Sequence, residues 1–257
     1  KAPFVVYIAA VYNRDEFQAN RVDVNMLAVI DPIKHNITLV SVPRDAYVQL
    51  GCKTRTAMDK LTHAGVYGID CSIKTMQNLL GVDINYYSTV YFDTVTKLVG
   101  ALGTIDVYLD EGFVVGGYTF KEGWNVLDKN SALHVARARY AFKNGDQQRI
   151  KNQQEVIKGI INKLLEPSSL TKIESIIRSV EGTVKTNMTG DEIFALVRMQ
   201  IIDRRGWTFT QVALTGKDAY LPSYAMGGRE LYMVQLDEAK LDETKVLLQE
   251  ALGITQE

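Results

Sequence analysis

Met26-Leu27-Ala28-Val29-Ile30-Asp31-Pro32-Ile33-Lys34-His35-Asn36-Ile37-Thr38-Leu39-Val40-Ser41-Val42 is the stretch that decides the fold class. Its two apolar runs, 26–30 and 37–42, are strand length, and Asp31-Pro32 and His35-Asn36 supply turn chemistry between them. The spacing predicts a hairpin. Upstream, Phe4–Val11 is another run with strand character. Downstream, residues 75–80 read as the end of a helix stopped by Gly81, and 86–92 as a strand carried by Tyr, Thr and Val. Asp93 is expected to cap a helix over 94–102 with Gly103 just past its end. Ile105–Leu109 returns as a strand, and 114–120 as a short hairpin.

The clearest helix follows Asp146, where Ile150, Ile157, Ile160, Ile161 and Leu164 fall on one stripe before Pro167. A shorter amphipathic segment uses Ile173, Ile176, Ile177 and Val180. Thr189-Gly190-Asp191-Glu192 is a capping box opening a helix through Gln200. Strands at 208–214 and 231–234 follow, then a helix from Asp237 to about Leu252. Strands and helices interleave throughout, which predicts an α/β protein: a single domain with a central mixed β-sheet covered by helices on both faces. The chain has no repeat and no linker rich in Pro, Gly or Ser. Gly116-Gly117 and Gly227-Gly228 read as turns, since neither has phosphate-binding spacing.

With 29 basic against 30 acidic residues, the formal net charge is −1, so the molecule as a whole has no field to gather nucleic acid. An anion site must come from a local cluster of arginines. No stretch reaches the roughly 18–20 apolar residues that span a bilayer. The chain begins at Lys1 without a Met, which reads as an ectodomain or a mature form. Cys52 and Cys71 fit two buried thiols or a disulfide closing a short loop; with only His63 nearby they offer too few ligands for a metal.

Three segments carry candidate chemistry. Arg137 and Arg139 are two apart, so they share a face only if the chain is extended there. Asp146 suits a helix N-cap, after which Arg149 and Gln153 lie one turn apart. Three arginines near a helix N-terminus would favour an anion. Arg44 follows a buried-type strand in Ser41-Val42-Pro43-Arg44-Asp45, where α/β sheets place ligands. Arg21-Val22-Asp23 precedes the strand that pairs with it. Together these arginines would suit a pyrophosphate, and Asp23 would hold Mg²⁺ against it. Taken singly, such residues are more often solvated surface charges.

The chain resembles the catalytic domain of the LytR-CpsA-Psr family. The resemblance rests on 7–25, Pro43-Arg44-Asp45 within 42–48, Asp59-Lys60-Leu61-Thr62-His63-Ala64-Gly65-Val66-Tyr67-Gly68, 84–92, 98–107, 132–140 and Gly145-Asp146-Gln147-Gln148-Arg149-Ile150-Lys151-Asn152-Gln153-Gln154. It continues in 182–188 and at Leu231-Tyr232, so coverage is nearly end to end. The order of the three motifs is more specific than any one of them.

The resemblance implies an outward-facing, membrane-anchored transferase of a Gram-positive bacterium, its anchor preceding this chain. Such a protein would move a glycopolymer, of teichoic acid or capsule type, from a polyprenyl-pyrophosphate carrier to peptidoglycan through a phosphodiester. By motif, Arg44, Arg137, Arg139 and Arg149 would grip the pyrophosphate, with Gln153 and Arg21 assisting. Asp23 would sit beside Mg²⁺ or help activate the acceptor hydroxyl, and aliphatic residues of the sheet would hold the polyprenyl tail. An extracytoplasmic setting also implies a Cys52–Cys71 disulfide.

One position departs from the family pattern: Ala10-Val11-Tyr12 puts Tyr12 where a metal-binding carboxylate is expected, with Asp15 the nearest substitute. The competing expectation is therefore an accessory protein that binds the lipid pyrophosphate with little turnover. A transcriptional regulator is disfavoured by the absence of a helix-turn-helix pattern and by the near-neutral charge. His63 and His134, set among apolar neighbours, read as structural, with His63 orienting the Pro43-Arg44-Asp45 turn. Trp124 is a candidate glycan contact.

Overall fold

The computed structural model describes residues 2–11 and 21–254. Strands β1 (Phe4–Val11), β2 (Val24–Asp31) and β3 (Asn36–Val42) come first, followed by the short pair β4 (Tyr47–Gln49) and β5 (Met58–Lys60). Helices α1 (Leu61–Ala64) and α2 (Ile69–Leu80) lead to β6 (Tyr86–Tyr91). The middle of the chain runs through α3 (Phe92–Leu102), β7 (Ile105–Leu109), β8 (Phe113–Val115), β9 (Tyr118–Phe120), β10 (Gly123–Leu127), α4 (Lys129–Arg137) and α5 (Gly145–Leu165). It continues with α6 (Pro167–Leu170), α7 (Ile173–Ser179), β11 (Val184–Thr186) and α8 (Gly190–Asp203). Then come β12 (Thr208–Ala213), β13 (Gly216–Pro222), β14 (Glu230–Leu236) and α9 (Glu238–Leu252).

These elements gather into two compact units: one runs to Val90 and resumes at Thr208, the other spans Tyr91–Trp207. In the first, the strand order is β6-β1-β2-β3-β12. Strands β1, β2 and β3 are antiparallel, whereas β12 runs parallel to β3. The fold class is thus α/β with a mixed central sheet flanked by helices.

Register explains the core. Tyr7, Leu27, Val40 and Val212 lie abreast across four strands. Met76 and Leu80 of α2 and Leu248 of α9 pack into the same cluster. The alternate residues Met26, Ala28 and Leu39 are buried too. Both faces being dry is why these strands read as continuous apolar runs rather than as alternating patterns. The hairpin turn forms as expected: Asp31 Oδ1 accepts the amides of Ile33 and Lys34, and His35 takes a positive φ of 51°.

The second unit is built around Val99, Val107, Leu127, Val135 and Val156, drawn from α3, β7, β10, α4 and α5. On β7, Ile105, Val107 and Leu109 point inward while Asp106 and Tyr108 face out. Gly159 brings α5 against β7, since a Cβ there would stand 2.7 Å from the carbonyl oxygen of Asp106.

Two expected caps are displaced. Helix α3 begins at Phe92, where the amide of Tyr91 donates to Thr94 Oγ1, so Asp93 sits in the first turn instead of capping it. Helix α5 begins at Gly145 with Asn144 before it, and Asp146 lies inside the helix, its carboxylate drawn to arginines. The Thr189 capping box forms as read, with Thr189 and Glu192 exchanging hydrogen bonds, and Asp237, the expected start of the last helix, caps it by accepting from the amide of Lys240. Cys52 and Cys71 form a disulfide with Cα atoms 5.0 Å apart, tying the loop after β4 to α2. Among the described residues, no helix is long and apolar enough to cross a membrane.

Candidate functional site

In the first unit, β2 and β3 place Asp23 and Arg44 side by side: Asp23 just before β2, Arg44 just after β3. Arg44 Nη1 donates to Asp23 Oδ1 at 2.6 Å. On its other edge, Arg44 Nε stands 3.6 Å from Asp45 Oδ2, while Lys60 Nζ donates to Asp45 Oδ1 at 2.8 Å. Four charges of alternating sign therefore run Lys60–Asp45–Arg44–Asp23, each largely shielded from water. Arg21 is exposed two residues before Asp23. Tyr12 and Asp15 lie outside the described residues.

The backbone beneath this chain is held by the Asp59–Gly68 motif. The amides of Leu61 and Thr62 donate to the carbonyls of Ala46 and Arg44. Asp59 is fully buried and accepts four hydrogen bonds: from His63 Nδ1 at 2.7 Å, the amides of Ala225 and Lys60, and Ser223 Oγ. Burial alone would raise its pKa, but those donors outweigh it, His63 foremost, and hold the carboxyl below its ordinary value. His63 is thus structural, as expected, and steadies the turn carrying Arg44. Sequence reading gave Asp59 no role; its position four residues before His63 on the motif was the available signal.

In the second unit, two of the arginines, Arg139 and Arg149, meet at Asp146. Arg149 Nη2 donates to Asp146 Oδ1 at 2.5 Å, and Arg139 Nε lies 3.7 Å from the same oxygen. Helix α4 stops at Arg137, and Ala138 is extended (φ −59°, ψ 120°) and buried. The extended step is the condition set for Arg137 and Arg139 to share a side; Arg137 is exposed and Arg139 partly so, with Ala138 buried between them. The Arg137 guanidinium stacks over the Phe92 ring at 5.8 Å. Gln153 Nε2 donates to the carbonyl of Ala136, so this side chain secures the last turn of α4.

Arginines held against carboxylates in this way are suited to exchange those carboxylates for phosphate oxygens, with the planar fork already oriented. Among the described residues no group of three His, Cys, Asp or Glu gathers as a metal cluster. Mg²⁺ is commonly held by one or two carboxylates together with substrate phosphates, so Asp23 alone fits that mode. The aromatic candidate, Trp124, is exposed and packs edge-on against Tyr108 at 5.6 Å, whereas the other tryptophan, Trp207, donates Nε1 to Gln200.

Comparison with known proteins identifies the family. A teichoic acid transferase of Enterococcus faecalis, TagU (polyisoprenyl-teichoic acid–peptidoglycan teichoic acid transferase), is 33% identical over 196 residues, which is 75% of this chain and 64% of that protein. The chain thus spans somewhat less than two thirds of that relative. The crystal structure of TagV from B. subtilis superposes with a TM-score of 0.81 at 27% identity, covering 100% of this chain and 99% of that one. TagT bound to LIIa-WTA superposes with a TM-score of 0.77 at 26% identity, over 98% of this chain and 92% of that one. The family model described as LytR_cpsA_psr matches residues 1–249, and the chain belongs to that family.

Proposed function

We propose that this chain is a phosphotransferase, acting as one catalytic domain, that moves a glycopolymer from a polyprenyl-pyrophosphate carrier to peptidoglycan. The observation that carries the reading is the Arg44–Asp23 pair at the sheet edge, in a family whose relatives include a named teichoic acid transferase. The acceptor hydroxyl attacks the phosphorus nearer the glycan. The bond to the bridging oxygen breaks, polyprenyl phosphate departs, and the hydroxyl proton leaves to a base.

Charge accumulates on the equatorial oxygens and on the departing phosphate, and arginine side chains neutralise it. In the first unit Arg44 is the proposed phosphate ligand, with Arg21 beside it in sequence; in the second unit Arg137, Arg139 and Arg149 are proposed anion ligands in their own right, with Gln153 supporting them. Asp23 would hold Mg²⁺, with Asp15 as a second candidate, and the ion would supply further neutralisation of phosphate charge. The alternative role for Asp23 is to help activate the acceptor hydroxyl, by accepting its proton. A polyprenyl tail would need apolar surface other than the β1–β3 runs, which are packed against α2 and α9 in the core. The setting is extracytoplasmic at a membrane anchor, which the disulfide supports. Whether the polymer is teichoic acid or capsule follows from contacts outside this pair, with Trp124 the candidate sugar platform.

The test is Mg²⁺-dependent cleavage of a soluble short-chain polyprenyl pyrophosphate, read as released phosphate. Cleavage lost both with EDTA and in Arg44→Ala is expected, and cleavage unchanged in Arg44→Ala would sink the proposal. Tyr12 favours a second reading, in which the protein binds the lipid pyrophosphate and turns it over little. Tight binding without cleavage, with activity gained in Tyr12→Asp, would establish that reading.

A further inference from the structure

We propose that Lys60 is a positioning residue for Arg44, acting through Asp45. The proposal rests on the reading above of Arg44 as a phosphate ligand. Asp45 divides its two carboxylate oxygens: Oδ1 accepts from Lys60 Nζ at 2.8 Å, and Oδ2 faces Arg44 Nε at 3.6 Å. Arg44 is thereby fixed at two edges, by Asp45 on one and by Asp23 on the other.

The carboxylate of Asp45 is nearly buried, and its backbone is locked because its carbonyl accepts the amide of Val234 at 2.7 Å. Lys60 is held just as tightly. It follows the buried anchor Asp59, donates to Asp45, and lies 5.6 Å from the Tyr232 ring, whose hydroxyl donates to Asp218. Lysine is a flexible residue with a large rotamer entropy. Here the stem is shielded and the head has a defined partner.

The electrostatic consequence follows from counting charges. With Lys60 present, the four groups sum to zero, and Asp45 shares its charge between Lys60 and Arg44. Without the ammonium, Asp45 turns its full charge on Arg44. Asp45 then competes with an incoming anion and pulls the guanidinium from the plane set by Asp23. Because Asp45 and Lys60 are largely shielded from bulk water and Arg44 is partly so, this competition is only partly screened. Lys60 thus sets both the orientation of Arg44 and its availability to a phosphate, without touching the phosphate itself.

The experiment is calorimetric titration of the full chain with inorganic pyrophosphate, arranged as a double-mutant cycle. Lys60→Met keeps the stem over Tyr232 and removes the charge. It is expected to weaken binding about tenfold, the order seen for coupling between contacting charges. Lys60→Arg, which restores a cation to Asp45, is expected to recover most of the loss. In an Arg44→Gln background, Lys60→Met is expected to change nothing further.

An equal loss in both backgrounds would overturn the proposal, because Lys60 would then act on the anion directly or through general charge. No loss in the native background would overturn it as well. If Arg44→Gln itself binds pyrophosphate as the native chain does, the reading of Arg44 fails, and that result is distinct from a failure at Lys60. Should Lys60→Met not fold, Lys60→Gln passes through the same cycle and the same coupling decides.

Discussion

Gly145 backs directly onto the carbonyl oxygen of Arg139: a Cβ on Gly145 would collide with that oxygen, with the carbonyl carbon behind it and with the Arg139 Cγ. The first residue of α5 therefore lets the arginine segment lie flat against the helix start, from which Asp146 reaches Arg139 and Arg149. The neighbour here is mostly backbone, so it has little room to yield. Gly145→Ala is expected to cost about 1–3 kcal/mol, as overpacking does, and to move Arg139 off Asp146. Thermal unfolding and pyrophosphate titration of the variant should both shift downward. An unchanged melting temperature would show that the segment after α4 has slack.

Asp59 makes a pH prediction whose sign is fixed by the direction of its shift. Its carboxyl is held below the ordinary value of 3.8, so between the two values the unfolded chain binds more protons than the folded one. Its contribution to stability is complete above the unfolded value and is lost as pH falls through the folded one. In Asp59→Asn, one acceptor oxygen becomes a donor and faces Ala225 N–H, or else Ser223, Lys60 and His63. The variant is expected to lose about 3 kcal/mol at pH 7 and to show a flatter decline below about pH 4. Urea midpoints across that range measure both. A variant as acid-sensitive as the native chain would put the acid limb elsewhere.

The elements legible in the sequence are those whose signal is local. The Thr189 capping box, the Gly81 stop and the Asp237 cap follow from neighbours within four residues, and the β2–β3 hairpin from its turn chemistry. Strand β13 carries no strand signature of its own, since Gly216, Lys217, Asp218 and Pro222 are poor strand formers, and pairing with β14 fixes it. Asp93 and Asp146 resemble caps because each is acidic and near a helix start, but α3 already begins at Phe92 with Thr94 serving the amide of Tyr91, and Asp146 is drawn to Arg139 and Arg149. For Asp146, Arg149 three residues on was a visible hint. Arg44 and Asp23 were named as candidates, but their 2.6 Å bond depends on how β2 and β3 register. Asp45 and Lys60 stood inside quoted motifs, and only the fold joins them.

The disulfide closes a loop between residues 19 apart. Cross-linking a loop of that length removes entropy from the unfolded chain worth about 3 kcal/mol. Cys52→Ser with Cys71→Ser is expected to lower the denaturation midpoint accordingly, and a reducing agent should do the same to the native chain alone. Because Cys71 is buried on α2, whose Met76 and Leu80 pack in the sheet cluster, loosening should begin in the first unit. Hydrogen exchange would find it in residues 50–75. Protection lost evenly along the chain would contradict the assignment.

Gln153 offers a way to separate support from ligation. Its amide nitrogen donates to the carbonyl of Ala136, one residue before Arg137, from the middle of α5. Gln153→Leu leaves that carbonyl without its side-chain donor in a buried setting, at a cost of about 1–3 kcal/mol. If support is its main service, the variant melts earlier and binds pyrophosphate less well in proportion, because the α4 terminus frays and Arg137 and Arg139 lose their placement. If the side chain also touches the phosphate, the loss of affinity exceeds what the loss of stability accounts for. Gln153→Met, close in length and unable to donate, compared with Gln153→Glu, which keeps an acceptor but adds charge, resolves the two. Equal affinity losses in both favour support, and a much larger loss in Gln153→Glu marks an anion at the side chain itself.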